Sequence, residues 1–426
     1  MKFRTVLSRR KFFKSLNVMV FGVIFPAKLF ANVRKSLDEI INRNGLEGEF
    51  TAALFDLKQN KILESHNKEV KLPLASVAKA VTAVYGIEAI GEDYRFNTDL
   101  LTDGVVKNGT LKGNMYLIGG GDPSLSTDDL YNFVYALKKK GIKRISGKFF
   151  YDSDIIPEFL NIDPSQLPQE SFNPGFSGLN LNENKVLFSW VKDGRDYDLS
   201  IEARSLKSTI PASTISIEGK NQLESVFEYA LESKTRIERW RVLRKALGKK
   251  GVRWLPVRLA SSYASSILHY LFLENNIDIP RPTTLTAKGA DLKLLYRHES
   301  AALSLITKEM LERSTNVTAE IIGLFAASFW GMLTPQILSS GRMMSKWFNF
   351  VSQTDGSIFF NHSGLTSDSR VSSSDFVKFL SRKETKQVLI PLLKKRNIYG
   401  SDGKKINNAG IRVVAKTGTM HFNRGL

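Results

Sequence analysis

Cysteine is absent from the 426 residues of this chain. A disulfide framework, a thiolate nucleophile and a cysteine zinc site are therefore excluded. Histidine is scarce: His66, His269, His298, His362 and His421 are scattered, and none has the HExxH spacing of a zinc site. Neither a GxSxG elbow nor a GxxxxGKS/T phosphate loop occurs, which leaves a histidine-based serine triad and a P-loop enzyme without support. Acidic residues are outnumbered, 42 against 61 Lys and Arg, for a formal charge of +19. Such a field favours nucleic acid, acidic lipid headgroups or anionic wall polymers, without choosing among them. The remaining composition, 42% hydrophobic and 24% charged, is that of a globular protein. Length predicts about two to three domains.

The first 31 residues carry seven of the basic residues and no acid. Ser8-Arg9-Arg10-Lys11-Phe12-Phe13-Lys14 resembles a twin-arginine export motif, and an apolar stretch follows from Leu16 to Phe25. That stretch is far shorter than the ~20 residues of a membrane-spanning helix. With Ala31 as a small residue before a cut, residues 1–31 read as a signal peptide of the twin-arginine type. Periplasmic location follows as the expectation, and it makes a nucleic-acid partner improbable despite the charge.

Patterning predicts a helix over residues 33–44 and a hairpin over 50–64, turning at Lys58-Gln59-Asn60-Lys61. A helical run is expected from Leu74 to Ile90. From about Tyr94 to Leu231 short strand-like runs alternate with Gly, Asn and Asp turns, so this segment reads as β-rich and separate. Residues 234–254 hold nine Lys/Arg and one Glu, with Ile237, Trp240, Leu243 and Leu247 near helical spacing. This basic amphipathic segment could touch a membrane surface or a wall polymer, but a solvated surface is the favoured reading. Residues 259–349 look largely helical. A helix near Ser374–Lys386 and a final strand, Ile411–Lys416, complete the expectation.

One constellation carries chemistry. Ser76-Val77-Ala78-Lys79 opens an apolar run, and on a helix residues three apart share a face. Lys79 would stand beside the Ser76 hydroxyl, where shielding from water lowers an ammonium pKa and fits it to act as a base. A helix starting at Ser76 would also aim backbone N–H groups at a reacting carbonyl. Ser-x-x-Lys recurs at Ser8, Ser65, Ser189 and Ser401, and Ser-x-Asn at Ser15, Ser65 and Ser171, so neither pattern is specific by itself. Lys-Thr-Gly occurs once, at Lys416-Thr417-Gly418, followed by Thr419.

The order Ser76-x-x-Lys79, Ser314-Thr315-Asn316, Lys416-Thr417-Gly418 resembles the active-site set of penicillin-binding proteins and β-lactamases, with Thr315 where Asp is usual. Ser314 follows Ser76 by 238 positions, a spacing that resembles the D-alanyl-D-alanine carboxypeptidase/endopeptidase class, the class C low-molecular-mass penicillin-binding proteins. Gly119–Pro123, Asn180–Asn184 and His362-Ser363-Gly364-Leu365 resemble that class too. The resemblance implies an α/β fold, a penicillin-recognising serine transpeptidase/β-lactamase-like domain with an antiparallel sheet between helices and a large β-rich insertion. That domain would comprise 32–93 plus 255–426, and residues 94–254 would be inserted. The implied substrate is a peptidoglycan peptide, with β-lactams as covalent inhibitors and no metal or cofactor. The implied roles are nucleophile for Ser76, base for Lys79 and proton relay for Ser314. Asn316 would bind the substrate backbone, while Lys416, Thr417, Gly418 and Thr419 would frame its terminal carboxylate. The family fold continues past Lys-Thr-Gly, whereas this sequence stops eight residues after Gly418, so an incomplete catalytic domain is expected. Two alternatives follow: a catalytically impaired wall-binding protein, and a β-lactamase. The long insertion and the lack of an identifiable deacylating Glu argue against the latter.

Overall fold

A computed structural model describes residues 48–232, 235–285, 291–399, 405–406 and 412–419. The leader reading of residues 1–31 and the helix expected at 33–44 lie outside the described residues. The described helices are α1 (Ala78–Ile90), α2 (Thr127–Lys139), α3 (Ala260–Glu274), α4 (Leu303–Arg313), α5 (Asn316–Phe329), α6 (Ile337–Ser352), α7 (Ser373–Ser381) and α8 (Lys383–Leu392). None of the described helices is long and apolar enough to cross a membrane. The chain forms two compact units. Of the described residues, the first holds those within 48–91, 307–314 and 322–419; the second holds those within 92–306 and 315–321. Residues 255–306, grouped from sequence with the catalytic core, lie in the second unit.

The first unit is built around α1. Its sequence, AKAVTAVYGIEAI, is rich in alanine, the best helix former. Residues 78–86 are all buried, so the helix is enclosed on every side rather than along one stripe. Small residues permit that enclosure: a Cβ added at Gly86 would come within 2.3 Å of Ile322 Cγ2 on α5. Gly91, at φ +95°, takes over at the end of α1, where its N–H bonds the Ile87 carbonyl. The expected hairpin is present as Ala52–Asp56 paired antiparallel with Lys61–His66, and α7 packs on it through Thr51 Oγ1 and Ser373 Oγ, 2.7 Å apart. Two further antiparallel ladders matter for the site. Lys71–Pro73 pairs with Arg370–Ser372, just before Ser76, and Lys394–Arg396 pairs with Val413–Ala415, just before Lys416.

The second unit contains the expected β-rich region. A five-stranded mixed sheet runs in the order 282–284, 149–152, 115–119, 97–102, 293–299. Helices α2 and α3 pack on it, burying Phe133, Leu137, Phe149 and Phe272. Four-stranded and three-stranded sheets follow, centred on Lys185–Asp193 and Ile237–Leu243. Helix α2 was not anticipated, although its start is written in the chain: Ser126 and Asp129 form a reciprocal capping box. The strand Lys293–Glu299 likewise interrupts a stretch read as helical.

The helical reading of 234–254 is corrected. Ile237–Leu243 and Lys250–Pro256 are strands joined by a short 3-10 turn. Glu238, Trp240 and Val242 are buried in alternation, which is a period of two. The intervening arginines pair across the sheet, Arg239 with Glu232 at 2.6 Å and Arg241 with Glu228 at 2.9 Å. Opposite charges on neighbouring strands stabilise the strand arrangement, and no amphipathic helix is available there for a membrane surface.

Close packing behind α1 can be tested at Gly323, where a Cβ would come within 2.0 Å of the buried His362 ring. Gly323→Ala is expected to destabilise the protein by about 1–3 kcal/mol through overpacking, read as a lower midpoint in urea unfolding. An unchanged midpoint would contradict this packing.

Candidate active site

Ser76 lies on a single 3-10 turn, Ala75–Val77, that leads into α1. The residue before it, Ala75, sits at φ +48°, a region that non-glycine residues rarely occupy. The turn is held from outside by Gly364 at φ +75°, which packs so closely that a Cβ there would come within 2.0 Å of the Ala75 carbonyl oxygen. Only glycine serves both demands at position 364.

Lys79, the second residue of α1, is fully buried. Its Nζ donates to Ser76 Oγ at 3.0 Å and to the Ser363 carbonyl at 2.8 Å. The spacing of three thus places the amine beside the hydroxyl, as anticipated. The Ser363 contact was not anticipated, because a backbone carbonyl has no residue-type signature. Its clue was Gly364 in the His-Ser-Gly-Leu stretch. The same stretch is fixed to α1 by Thr82 Oγ1, which donates to the His362 carbonyl at 2.6 Å. The His362 ring lies 2.7 Å from Ser340 Oγ and stacks on Tyr85 with centroids 6.3 Å apart. Burial pulls the imidazole down to about 3, so it is neutral at ordinary pH. His362 is a core residue, in keeping with the expectation that the scattered histidines are structural.

Ser314 lies between α4 and α5 at φ +62°, also in the left-handed region. Its hydroxyl accepts from Lys416 Nζ at 3.0 Å, and Lys416 also donates to the Thr417 carbonyl at 2.6 Å. Gly418 lies against the nucleophile turn: a Cβ there would come within 2.8 Å of the Leu74 carbonyl oxygen and 2.9 Å of the Ser76 nitrogen. The end of one strand therefore touches both serines, through Lys416 at Ser314 and through Gly418 at Ser76. Thr417 and Thr419 are exposed beside it. Asn316 opens α5 and belongs with the second unit, where its side-chain amide donates to the Phe172 carbonyl at 2.7 Å.

The arrangement holds two serine–lysine pairs. A hydroxyl beside a buried amine can lose its proton as it attacks a carbonyl. A second hydroxyl beside a cation can pass a proton onward and help hold an anion. Burial, and then the Arg396 guanidinium, pull Lys416 down to about 8. Its cationic form therefore dominates below that pH and is lost above it. Rate constants at low ligand concentration report the free protein. Second-order reactivity toward a carboxylate-bearing acyl donor is accordingly expected to fall as pH rises through about 8. A profile flat to about pH 10, the range of an ordinary lysine, would show that the Lys416 charge does not matter.

A sequence profile described as the D-Ala-D-Ala carboxypeptidase 3 (S13) family matches residues 33–424. The D-alanyl-D-alanine carboxypeptidase DacB of Haemophilus influenzae is 25% identical over 427 residues, covering 95% of this chain and 87% of that protein. The crystal structure of penicillin binding protein 4 (dacB) from Haemophilus influenzae superposes with a TM-score of 0.69 at 23% identity, over 86% of this chain and 84% of that one. The same protein complexed with a novel β-lactam gives 0.67 at 22% identity, over 86% and 83% of the two chains. These structural matches establish the fold, and the expected α/β architecture with its β-rich insertion stands. By the extent of the profile match, which takes in all three motifs, this chain belongs to the D-Ala-D-Ala carboxypeptidase 3 (S13) family.

Proposed function

We propose that this protein is a serine-type D-Ala-D-Ala carboxypeptidase that acts on peptidoglycan peptides through an acyl-enzyme at Ser76. The observation that carries the reading is the strand end at Lys416–Gly418, which abuts the Ser76 turn and reaches Ser314 with its lysine. In this reading Ser76 Oγ attacks the carbonyl carbon of the penultimate D-alanine, and Lys79 accepts the hydroxyl proton. The tetrahedral oxyanion sits between the backbone N–H groups of Ser76 and Thr419. As the C–N bond breaks, Ser314 relays a proton to the departing amine. Lys416, Thr417 and Thr419 hold the terminal carboxylate, with Gly418 allowing close approach, while Asn316 bonds the peptide backbone. Water then attacks the ester and regenerates Ser76.

β-Lactams would enter the same route and remain as acyl adducts, since their leaving group stays tethered. The β-lactam complex of the Haemophilus influenzae protein supports that part of the reading. Export to the periplasm on a twin-arginine leader, residues 1–31, belongs to the same proposal, because the substrate lies outside the cytoplasm. The unit that holds Ser76 would be the catalytic domain, with residues 94–254 an accessory insertion.

The test is labelling with fluorescent penicillin together with release of D-alanine from a pentapeptide. Ser76→Ala is expected to abolish both, a loss on the order of 10⁴-fold or more. Unchanged labelling of that variant would sink the assignment. Lys79→Met, which keeps the buried volume, is expected to slow acylation by roughly 10²–10⁴-fold. A fall below ten-fold would mean that Lys79 is not the base.

A further inference from the structure

Outside the serine–lysine cluster, the second unit holds two buried charges with several hydrogen bonds each, Glu238 and Arg258. Arg258 is 5% exposed. Its Nη1 donates to the carbonyls of Leu160, at 3.1 Å, and Asn173, and its Nη2 donates to the carbonyl of Pro168. All three acceptors belong to one irregular segment, residues 159–176, whose ends pair at Phe159 and Phe176. The backbone at Arg258 is held from the other side. Both oxygens of Glu238, itself 1% exposed, accept from the Arg258 N–H, at 2.9 and 3.0 Å, and one also accepts from the Leu259 N–H at the start of α3. Gly175 lies flush against the Arg258 carbonyl, where a Cβ would come within 2.1 Å.

Removing a guanidinium from water is costly, and well-packed apolar replacements of buried ions are often neutral or stabilising. What Arg258 provides is geometry. It pins the Asn173 carbonyl, and the preceding carbonyl, that of Phe172, accepts the Asn316 amide at 2.7 Å. A primary amide can present either its oxygen or its nitrogen to a given side. An acceptor fixed at Phe172 selects the orientation with Nδ2 toward the segment and Oδ1 away from it.

We propose that Arg258 is a positioning residue for acylation, which acts by holding the Phe172 carbonyl where it sets the orientation of the Asn316 amide. This rests on the reading of Asn316 as a substrate-binding group. Arg258 thereby acts on the reaction through a backbone carbonyl, with its own backbone fixed by the buried Glu238.

The test is a double-mutant cycle on the full chain. The second-order rate of acylation by fluorescent penicillin is measured for wild type, Arg258→Met, Asn316→Ala and the double variant, each checked by thermal melting. Arg258→Met is expected to lower the rate about 10- to 100-fold, since small misplacements of a substrate-orienting group cost this much. In the Asn316→Ala background the same change is expected to have less than about two-fold effect, because the two act as one unit. A wild-type rate for Arg258→Met, or losses that simply multiply, overturns the proposal. If Arg258→Met does not fold, Asn173→Ala runs through the same cycle, because the Asn173 side chain bonds Ile162 N and Asp163 N within the same segment. The same two outcomes then decide. A wild type that is not labelled at Ser76, or an Asn316→Ala variant that acylates at the wild-type rate, overturns the underlying reading of the site and this proposal with it.

Discussion

Burial of the Lys79 amine beside Ser76 is the constraint around which the first unit is arranged. Taking a lysine head group out of water costs several kcal/mol unless its hydrogens find acceptors. Here the acceptors include Ser76 Oγ and the Ser363 carbonyl. Placing that carbonyl requires Gly364 to run flush against Ala75, and Thr82 to hold the His362 carbonyl. Enclosing the amine requires a helix buried on all sides, which in turn requires glycine and alanine where α5 crosses it. Left-handed backbone at Ala75 and Ser314 fits the same pattern. Strain of this kind persists where the surrounding structure over-determines it, and it collects at functional sites.

The second unit follows a different logic. Its sheets bury a conventional apolar core, and Arg239, Arg241 and Arg297 form ion pairs between strands. Against that background Glu238 and Arg258 stand out as charges enclosed in the interior, each satisfied mainly by backbone groups. Desolvation pushes the Glu238 carboxyl up to about 7, while the backbone N–H groups of Leu259 and Arg258 oppose the shift. Buried polar groups bonded to backbone specify where a chain segment lies more sharply than apolar packing does, because hydrogen bonds are directional.

Local pattern was a good guide where neighbouring residues settle the structure. The hairpin at 52–66, the helix after Ser76 and the strand before Lys416 were all legible. It failed where two periods competed. In 234–254 the residues Ile237, Trp240, Leu243 and Leu247 suit a helix, whereas Glu238, Trp240 and Val242 suit a strand. A glutamate on the inward face hid the second pattern, since an acid is normally read as surface. The backbone N–H groups of Arg258 and Leu259 account for its burial.

The sequence by itself determined the family, the order of the three motifs and the pairing of Ser76 with Lys79. Each of these depends on residue types at short spacing, or on motifs that chemistry restricts to few side chains. Tertiary structure alone decided that the Ser363 carbonyl accepts from Lys79, that Gly418 closes on the Ser76 amide, and that Asn316 is held by the carbonyl of Phe172. Those contacts use backbone atoms that every residue carries, and they join positions from 144 to more than 300 residues apart. Amino-acid identity therefore leaves no local mark of them, and only the folded path of the chain brings them together.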